Sequence, residues 1–235
     1  MPNVHRNTDR LKFKWRETIK GDELIFSELR ILENFMSYCD RLGLPIINDS
    51  TELRSLHINS QTADRYYINP SEWPNPKAIE LMALAQHHGV PTRLLDWSKR
   101  SFVAAYFAAT TAISNKNEWK NDSKLAIWAL NIDSLALYPN ISLVKVPGST
   151  SAHLAAQAGV FTLCRQSACR NEDFSPTPLE DEFKNVPETP LLKITLPVTE
   201  ATELFRLCKL YDITAASLFP SFDGAAKAVM DDLSL

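Results

Sequence analysis

The sequence predicts an α+β fold, in which a mixed or mostly antiparallel central sheet is flanked by helices in a single domain over residues 1–235. Helical and strand-like apolar spacings follow one another without regular βαβ alternation. No glycine-rich phosphate loop follows a predicted strand, which argues against a Rossmann domain. Hydrophobic residues make up 45% of the 235 residues, enough for a sizeable core.

Composition and charge limit the partners and the cellular location that we expect for the chain. The formal net charge is −3 and the pI is near 6.0, so any nucleic acid would have to be held by a local basic patch. There is no run of the roughly 18 apolar residues that a membrane span needs, and the N-terminus lacks the apolar core of a signal peptide. We therefore expect a cytoplasmic chain without membrane contact, while its oligomeric state stays open.

The first predicted element is a helix over residues 22–42. Asp22 is its expected cap, its apolar residues recur at helical spacing, and Gly43 and Pro45 end it. Residues 46–77 are polar and rich in proline, which predicts a long loop with at most one short helix around residues 50–58. The aromatic residues of this loop either stack on a base or cover the core: Tyr66, Tyr67 and Trp73.

Residues 80–109 form the densest part of the pattern. A helix over residues 78–85 closes at Gly89, and Pro91 prevents its continuation. Residues 92–97 then predict a strand. Residues 102–112 are apolar on nearly every side, as in a buried helix, for which Asp96 or Ser98 is the expected cap.

The remainder alternates between short strands and helices. Strands are predicted at residues 125–130, 141–146, 160–163 and 191–196. A short capped helix is predicted within residues 149–157, with longer helices over residues 200–211 and 223–232. Residues 165–190 hold many charges and four prolines, which predicts a mobile surface loop.

Four strings of this sequence resemble the motifs of the FRG domain family, in the family order. They are AQHHGVPTRLLDWS with FVAAYFAA, then LAIWAL, AAQAGVFT and SLFPSFDG, and together they extend the resemblance over about residues 20–232. The family is named for an aromatic-Arg-Gly motif near its start. This sequence contains no aromatic-Arg-Gly triplet, and the nearest segment is His5-Arg6-Asn7. Either Arg6 or Arg16 takes the place of that arginine, or the chain lacks the function that the arginine serves.

Candidate site residues cluster where polar side chains interrupt apolar elements. His87, His88 and Gln157 are candidates for catalysis, because an imidazole titrates near neutral pH and Gln157 adjoins a strand where backbone can approach closely. Thr92, Arg93, Asp96 and Arg6 are candidates for substrate or cofactor binding. Alternatively, Arg93 and Asp96 form a buried ion pair, and both histidines are structural.

Metal binding is not expected. The four cysteines match no zinc spacing, and adjacent histidines are poor joint ligands for one ion. The cysteines are Cys39, Cys164, Cys169 and Cys208. We therefore expect four free thiols and no metal cofactor.

Three functions remain open. The first is an ADP-ribosyltransferase-like, NAD-dependent enzyme of a bacterial defence or toxin system, an expectation that rests on analogy between folds. The second is a non-catalytic module of such a system that binds or senses a nucleotide, nucleic acid or protein. The third is a structural interaction domain. The expected partners are a nucleotide or dinucleotide, with a nucleic acid or protein as target. His87, His88, Arg93 and Gln157 are predicted to line one cleft.

Overall fold

The structure, a computed structural model, describes Pro2 and residues 18–148, 151–184 and 189–234. Helices hold 51% and antiparallel sheets 16% of the chain, which confirms the predicted α+β class. The α-helices of the described residues are α1 Gly21–Leu42, α2 Asp64–Ile68, α3 Pro76–His87, α4 Ser101–Ser114, α5 Ala152–Ala156, α6 Ala201–Leu210, α7 Ala215–Leu218 and α8 Phe222–Leu233.

The strands are short and are divided among three small sheets. They are β1 Ile19–Lys20, β2 Leu94–Ser98, β3 Lys124–Leu130, β4 Ile141–Val144, β5 Gly159–Cys164, β6 Asp173–Phe174 and β7 Leu191–Pro197. β1 pairs with β6, β3 pairs with β7, and the third sheet has the order β2-β5-β4. In the antiparallel β4–β5 pair Ile141 lies opposite Cys164, and in the β3–β7 pair Leu125 lies opposite Leu196.

The chain divides into two compact units, each assembled from three segments. Unit 1 comprises Met1–Leu95, Leu135–Val146 and Phe161–Lys184, and unit 2 comprises Asp96–Ser134, Pro147–Val160 and Asn185–Leu235. Neither unit is a continuous piece of sequence. The prediction of one domain over residues 1–235 stays a prediction.

Unit 1 is built around α1. Its buried face carries apolar residues at helical spacing, and Gly43, with φ at +65°, ends the helix in the left-handed conformation that glycine adopts at least cost. Lys20 is the N-cap, and its backbone N–H donates to the Glu23 side chain at 3.0 Å, so the predicted Asp22 cap is wrong. The largest fully buried apolar side chains of the unit are Trp73, Tyr66, Leu24, Ile25, Leu29, Leu32, Leu81, Met82 and Leu94.

Unit 2 has its core between α4 and α6. The core side chains are Val103, Ala105, Tyr106, Ala109, Ile113, Leu125, Ala201, Phe205, Cys208, Ala215 and Leu218. The buried helix predicted over residues 102–112 is therefore confirmed as an element, although Phe102 and Phe107 are partly exposed. Its N-cap is Arg100, so the predicted caps Asp96 and Ser98 are wrong. Ser98 lies two residues before the cap, and its Oγ accepts from the Arg100 N–H at 3.0 Å.

Two predicted loops contain structure. Residues 46–77 hold a π-helical turn at Leu53–His57, inside the predicted short helix, and also α2. Residues 165–190 hold β6 and a 3-10 helix at Leu179–Phe183, whose Leu179 and Phe183 are buried. These two buried apolar residues hold an acidic segment against the core. The prediction of a mobile loop was based on the number of charges and did not take them into account.

Among the described residues, no helix is both long enough and apolar enough for a transmembrane span.

Candidate functional site

A buried ion pair between Arg93 and Glu28 is the central polar feature of unit 1. The two residues are 0% and 3% exposed. Arg93 Nε donates to both carboxylate oxygens of Glu28, at 3.0 and 2.9 Å, and Nη2 donates to Oε2 as well. Two charges so placed neutralise each other, which offsets part of the large cost of removing them from water.

Two further side chains complete this arrangement. Trp73 Nε1 donates to Glu28 Oε2 at 2.6 Å, and Gln166 Oε1 accepts from Arg93 Nη2 at 3.1 Å. Gln166 Nε2 in turn donates to the carbonyls of Gly21 and Ala168, at 3.0 and 3.1 Å. We call Glu28, Trp73, Arg93 and Gln166 the Arg93 network. It ties α1, the loop before α3, the start of β2 and the segment after β5 to one another.

Local sequence explains how these groups meet. Glu28 lies four residues from Leu24 and four from Leu32, so α1 places all three on its buried face. Pro91 ends the preceding turn, and Arg93 enters the core directly before β2. Gly21 is required where Gln166 approaches, because a Cβ there would lie 2.2 Å from the Ala168 carbonyl oxygen.

The predicted pairing of Arg93 with Asp96 is wrong. The carboxylate that pairs with Arg93 belongs to Glu28, and Asp96 is an exposed residue of β2. Side chains alternate between the two faces of a strand, so residues three apart point in opposite directions. The expectation that Arg93 is buried and charge-paired holds, but with a partner 65 residues away.

One nitrogen of the Arg93 guanidinium makes no hydrogen bond with the described residues. Nη1 of Arg93 is buried and has no hydrogen-bond partner among the described residues. An unpaired buried donor costs roughly 1–3 kcal/mol. The other two guanidinium nitrogens make four polar contacts with Glu28 and Gln166, which stabilise the interior of unit 1. Arg93 is 0% exposed, so it has no surface that could line an open cleft.

Thr92 is also an interior residue. It is buried, its Oγ1 donates to Gln86 Oε1, and the same oxygen accepts from the Leu94 N–H at 3.2 Å. These bonds fix the turn between α3 and β2. Its predicted role in binding a substrate or cofactor stays a prediction.

His87 and His88 lie at the end of α3 and are exposed. Their ring centroids are 5.0 Å apart and the rings are nearly perpendicular, at 73°. Gly89 follows with φ at +85°, as the sequence predicts. The two imidazoles are thus accessible from solvent, whereas Thr92 and Arg93 are not, so these four predicted site residues do not share one environment.

Gln157 belongs to unit 2, at a point where three of the strings that resemble the family's motifs meet in space. Its Nε2 donates to the Leu218 carbonyl at 3.2 Å, and its own carbonyl accepts from Ser98 Oγ at 2.7 Å. The Lys99 N–H donates to the Ala158 carbonyl at 3.1 Å. We call Ser98, Lys99, Gln157, Ala158 and Leu218 the motif junction. It joins the end of β2, the turn before β5 and the end of α7.

Cationic and aromatic groups surround the motif junction. Lys99 and Arg100 are exposed, and Arg100 Nη1 donates to the Ala156 carbonyl at 3.4 Å. The His153 ring meets the edge of Phe219 at 5.6 Å between centroids. Exposed cationic side chains of this kind can bind an anionic ligand.

Three of the four thiols, those of Cys39, Cys164 and Cys208, have raised pKa values in this fold. Burial raises the pKa of Cys164 to about 11, with the charge of Glu182 acting in the same direction. Burial likewise raises the pKa of Cys39 and of Cys208. All four cysteines are free, and the described ranges contain no group of three or more potential metal-ligating side chains. Arg6 lies outside the described residues.

Comparison with known families adds one match. The family model described as FRG domain matches residues 29–117. This match supports the resemblance to the FRG domain family over those residues. The match contains His87, His88, Thr92, Arg93 and Asp96, whereas Gln157 and Arg6 lie outside it. No curated protein and no solved structure gives a match.

Sequence reasoning missed two members of the Arg93 network, Glu28 and Gln166, and did not foresee the hydrogen bond of a third, Trp73. Glu28 could have been found, because a carboxylate four residues from Leu24 and four from Leu32 falls on the buried stripe of an amphipathic helix. Gln166 gives no such signal, since it follows β5 in a polar segment. Trp73 was expected to cover the core or to stack on a base; it is fully buried and also donates a hydrogen bond.

Proposed function

We propose that this FRG chain is an ADP-ribosyltransferase-like enzyme that uses NAD as the donor of ADP-ribose. The observation that supports this best is the motif junction, which brings the Gln157 amide together with the exposed cations Lys99 and Arg100 in one unit. The α+β class with antiparallel sheets agrees with the proposal by analogy only.

Each group of the junction has a place in that chemistry. Transfer of ADP-ribose breaks the bond between nicotinamide and ribose through an oxocarbenium-like transition state, and a group that binds the ribose hydroxyls steadies it. Gln157 Nε2 donates to the Leu218 carbonyl, and its Oε1 would accept from a ribose hydroxyl in this proposal. Lys99 and Arg100 would neutralise the pyrophosphate. We therefore propose NAD as the ligand of these residues.

The exposed imidazoles of His87 and His88 are proposed as general bases or as donors to a nucleotide or to a target. A neutral imidazole can accept a proton near neutral pH, as activation of an acceptor group requires. A nucleic acid or a protein is the proposed acceptor.

A second candidate is a non-catalytic module that senses a nucleotide, nucleic acid or protein within a bacterial defence or toxin system. The identity of residue 157 favours it, because a neutral amide stabilises positive charge less than a carboxylate does. In this case the junction binds NAD without breaking it.

The test is incubation of the full chain with NAD together with nucleic acid or a cell lysate. Free nicotinamide and ADP-ribosylated acceptors are then measured by mass spectrometry. The enzyme proposal expects both products. Binding of NAD without either product supports the sensing module, and absence of both binding and products overturns the two proposals together. Lys99→Ala with Arg100→Ala should weaken NAD binding at least tenfold, whereas Lys124→Ala, an exposed lysine of β3, serves as the matched control.

A further inference from the structure

Residues 98–100 hold the turn that carries Gln157. Three consecutive carbonyl groups of this turn, those of residues 156–158, each accept one hydrogen bond from a different residue of 98–100. The bonds run from Arg100 Nη1 to Ala156 at 3.4 Å, from Ser98 Oγ to Gln157 at 2.7 Å and from the Lys99 N–H to Ala158 at 3.1 Å. Carbonyls at the end of a helix have no partner within the helix, so residues 98–100 supply partners where α5 ends.

Ala158 has an unfavourable backbone conformation. Its φ is +48°, in the left-handed region, where a Cβ lies too close to the following carbonyl oxygen. The adjacent Gly159 could adopt this conformation at less cost, but its own φ lies outside the left-handed region. The turn at Ala158 therefore needs contacts from another segment to hold it, and the bonds from residues 98–100 are such contacts.

Ser98 is the residue of this segment that binds Gln157 itself. Its Oγ accepts from the Arg100 N–H at 3.0 Å, and its hydroxyl proton is donated to the Gln157 carbonyl. A hydroxyl has one proton to donate, so these two bonds define both roles of the group. Removal of the hydroxyl breaks both bonds.

The side chain of Gln157 is held at its far end. Its Nε2 donates to the Leu218 carbonyl at 3.2 Å, and because a carbonyl only accepts, the amide nitrogen faces Leu218. Gln157 keeps this bond only while its main chain stays in place. The main chain is the part that Ser98 binds.

We propose that Ser98 is a positioning residue, whose hydroxyl holds the main chain of Gln157 so that the side-chain amide is presented to the ligand in one orientation. The inference rests on the proposed function, in which Gln157 Oε1 binds a ribose hydroxyl. Ser98 does not touch the ligand in this proposal. Its removal should therefore lower the rate of nicotinamide release more than the affinity for NAD, which Lys99 and Arg100 provide.

Hydrogen exchange at the Gln157 side chain tests the role of Ser98 without NAD. NMR spectra of the full chain, labelled with 15N at glutamine, give the exchange rate of the Nε2 protons with water, and the signal missing from Gln157→Ala assigns them. Ser98→Ala should speed this exchange about tenfold, whereas Ser98→Thr keeps a hydroxyl and should leave it nearly unchanged. Ser114→Ala is the matched control: it removes a comparable bond, from Ser114 Oγ to the Thr110 carbonyl at 2.9 Å, and should not affect Gln157.

Ala158→Gly provides a second background, in which the test holds even if Ser98→Ala alone unfolds the chain. Glycine adopts the left-handed conformation at less cost, so the turn should depend less on the Ser98 hydroxyl. Ser98→Ala should then speed the exchange at Gln157 only about threefold in this background. No increase there, or an increase as large as in the unchanged background, would show that Ser98 does not hold the turn and would overturn the proposal.

Kinetics connect the position of Gln157 to the reaction. Ser98→Ala should lower kcat for nicotinamide release about tenfold and change KM for NAD less than about threefold, and Ser98→Thr should restore most of the rate. Faster exchange on Ser98→Ala that Ser98→Thr reverses supports the positioning role even if the unchanged chain releases no nicotinamide, a result that would contradict the enzyme proposal alone. Unchanged exchange on a folded Ser98→Ala, an equal increase on Ser114→Ala, or a fall in kcat that Ser98→Thr does not repair would overturn the proposal.

Discussion

Arg93 and Glu28 are 65 residues apart in the sequence, and the guanidinium of one holds the carboxylate of the other inside unit 1 through Nε and Nη2. The pair joins the string AQHHGVPTRLLDWS, which contains Arg93, to α1, which begins before the matched residues 29–117. The arginine of that string is therefore a scaffold residue in this chain. A ligand that arrives from solvent has to be contacted by other side chains, because Arg93 is fully buried.

The first prediction concerns the cost of separating this pair. Glu28→Ala should lower the free energy of unfolding by about 3–5 kcal/mol, because it leaves the Arg93 charge buried and unpaired. Arg93→Met should also destabilise, since Glu28 then keeps only Trp73 as partner. The double variant should lose clearly less than the sum of the two single losses. Urea unfolding measures all three.

Asp96→Ala is the control for that series. An exposed carboxylate contributes little, so its loss should change stability by no more than about 1 kcal/mol. Two results would contradict the claim that Glu28 and Arg93 stabilise the chain as an interacting pair. One is a stability loss at Asp96 as large as that at Glu28, and the other is strictly additive stability losses at Glu28 and Arg93.

The second prediction compares two glycines that are needed for different reasons. Gly224→Ala should cost roughly 3 kcal/mol, because the added methyl group collides with the Phe219 carbonyl and displaces α8. Gly43→Ala meets nothing within 4 Å, and should cost only about 1–2 kcal/mol for a left-handed residue with a Cβ.

Hydrogen exchange separates the two effects. Faster exchange in α8 is expected for Gly224→Ala and not for Gly43→Ala. Equal stability losses, with unchanged exchange in α8, would mean that the close approach to Phe219 does not hold the helix.

The third prediction concerns the reactivity of Cys164. Its pKa is raised from 9.0 to about 11, so at pH 8 the thiolate fraction in the folded chain is about 100-fold smaller than in the unfolded chain. Alkylation of Cys164, followed by peptide mass spectrometry, should be slower in the folded chain by at least that factor. The rate should climb as the pH rises from 9 to 11.

The same shift has a consequence for stability. A group whose folded pKa is raised contributes stability that is fully present below its unfolded pKa, and the contribution is lost as the pH rises through the folded pKa. Cys164→Ser should therefore reduce the loss of stability between pH 9 and pH 11. Rapid alkylation of Cys164 at pH 8 would contradict the raised pKa of this partly buried thiol.

Much of the local structure follows from the sequence because local rules decide it. The bounds of α1 follow from apolar spacing and Gly43, and the end of α3 follows from Gly89 and Pro91. Helix caps were less predictable: Lys20, Arg100 and Ser221 are the observed N-caps, because tertiary contacts shift a helix start by one or two residues.

The candidate site was predictable only in part. That Arg93 needs a buried partner follows from the cost of an unpaired charge, but the choice of Glu28 over Asp96 depends on packing between distant segments. The meeting of Gln157 with Ser98 and Leu218 is likewise a property of the fold. Apolar spacing within single elements contains no information about which loops converge.

The most direct measurement of the central claim is the rate of nicotinamide release from NAD by the full chain and by Gln157→Ala. Thermal unfolding and NAD binding are measured on both proteins, so that a misfolded variant is recognised. We predict release of nicotinamide by the unchanged chain and a loss of at least tenfold on Gln157→Ala, with NAD still bound. Nicotinamide release that is equal in the two proteins, or no faster than in buffer alone, would contradict it.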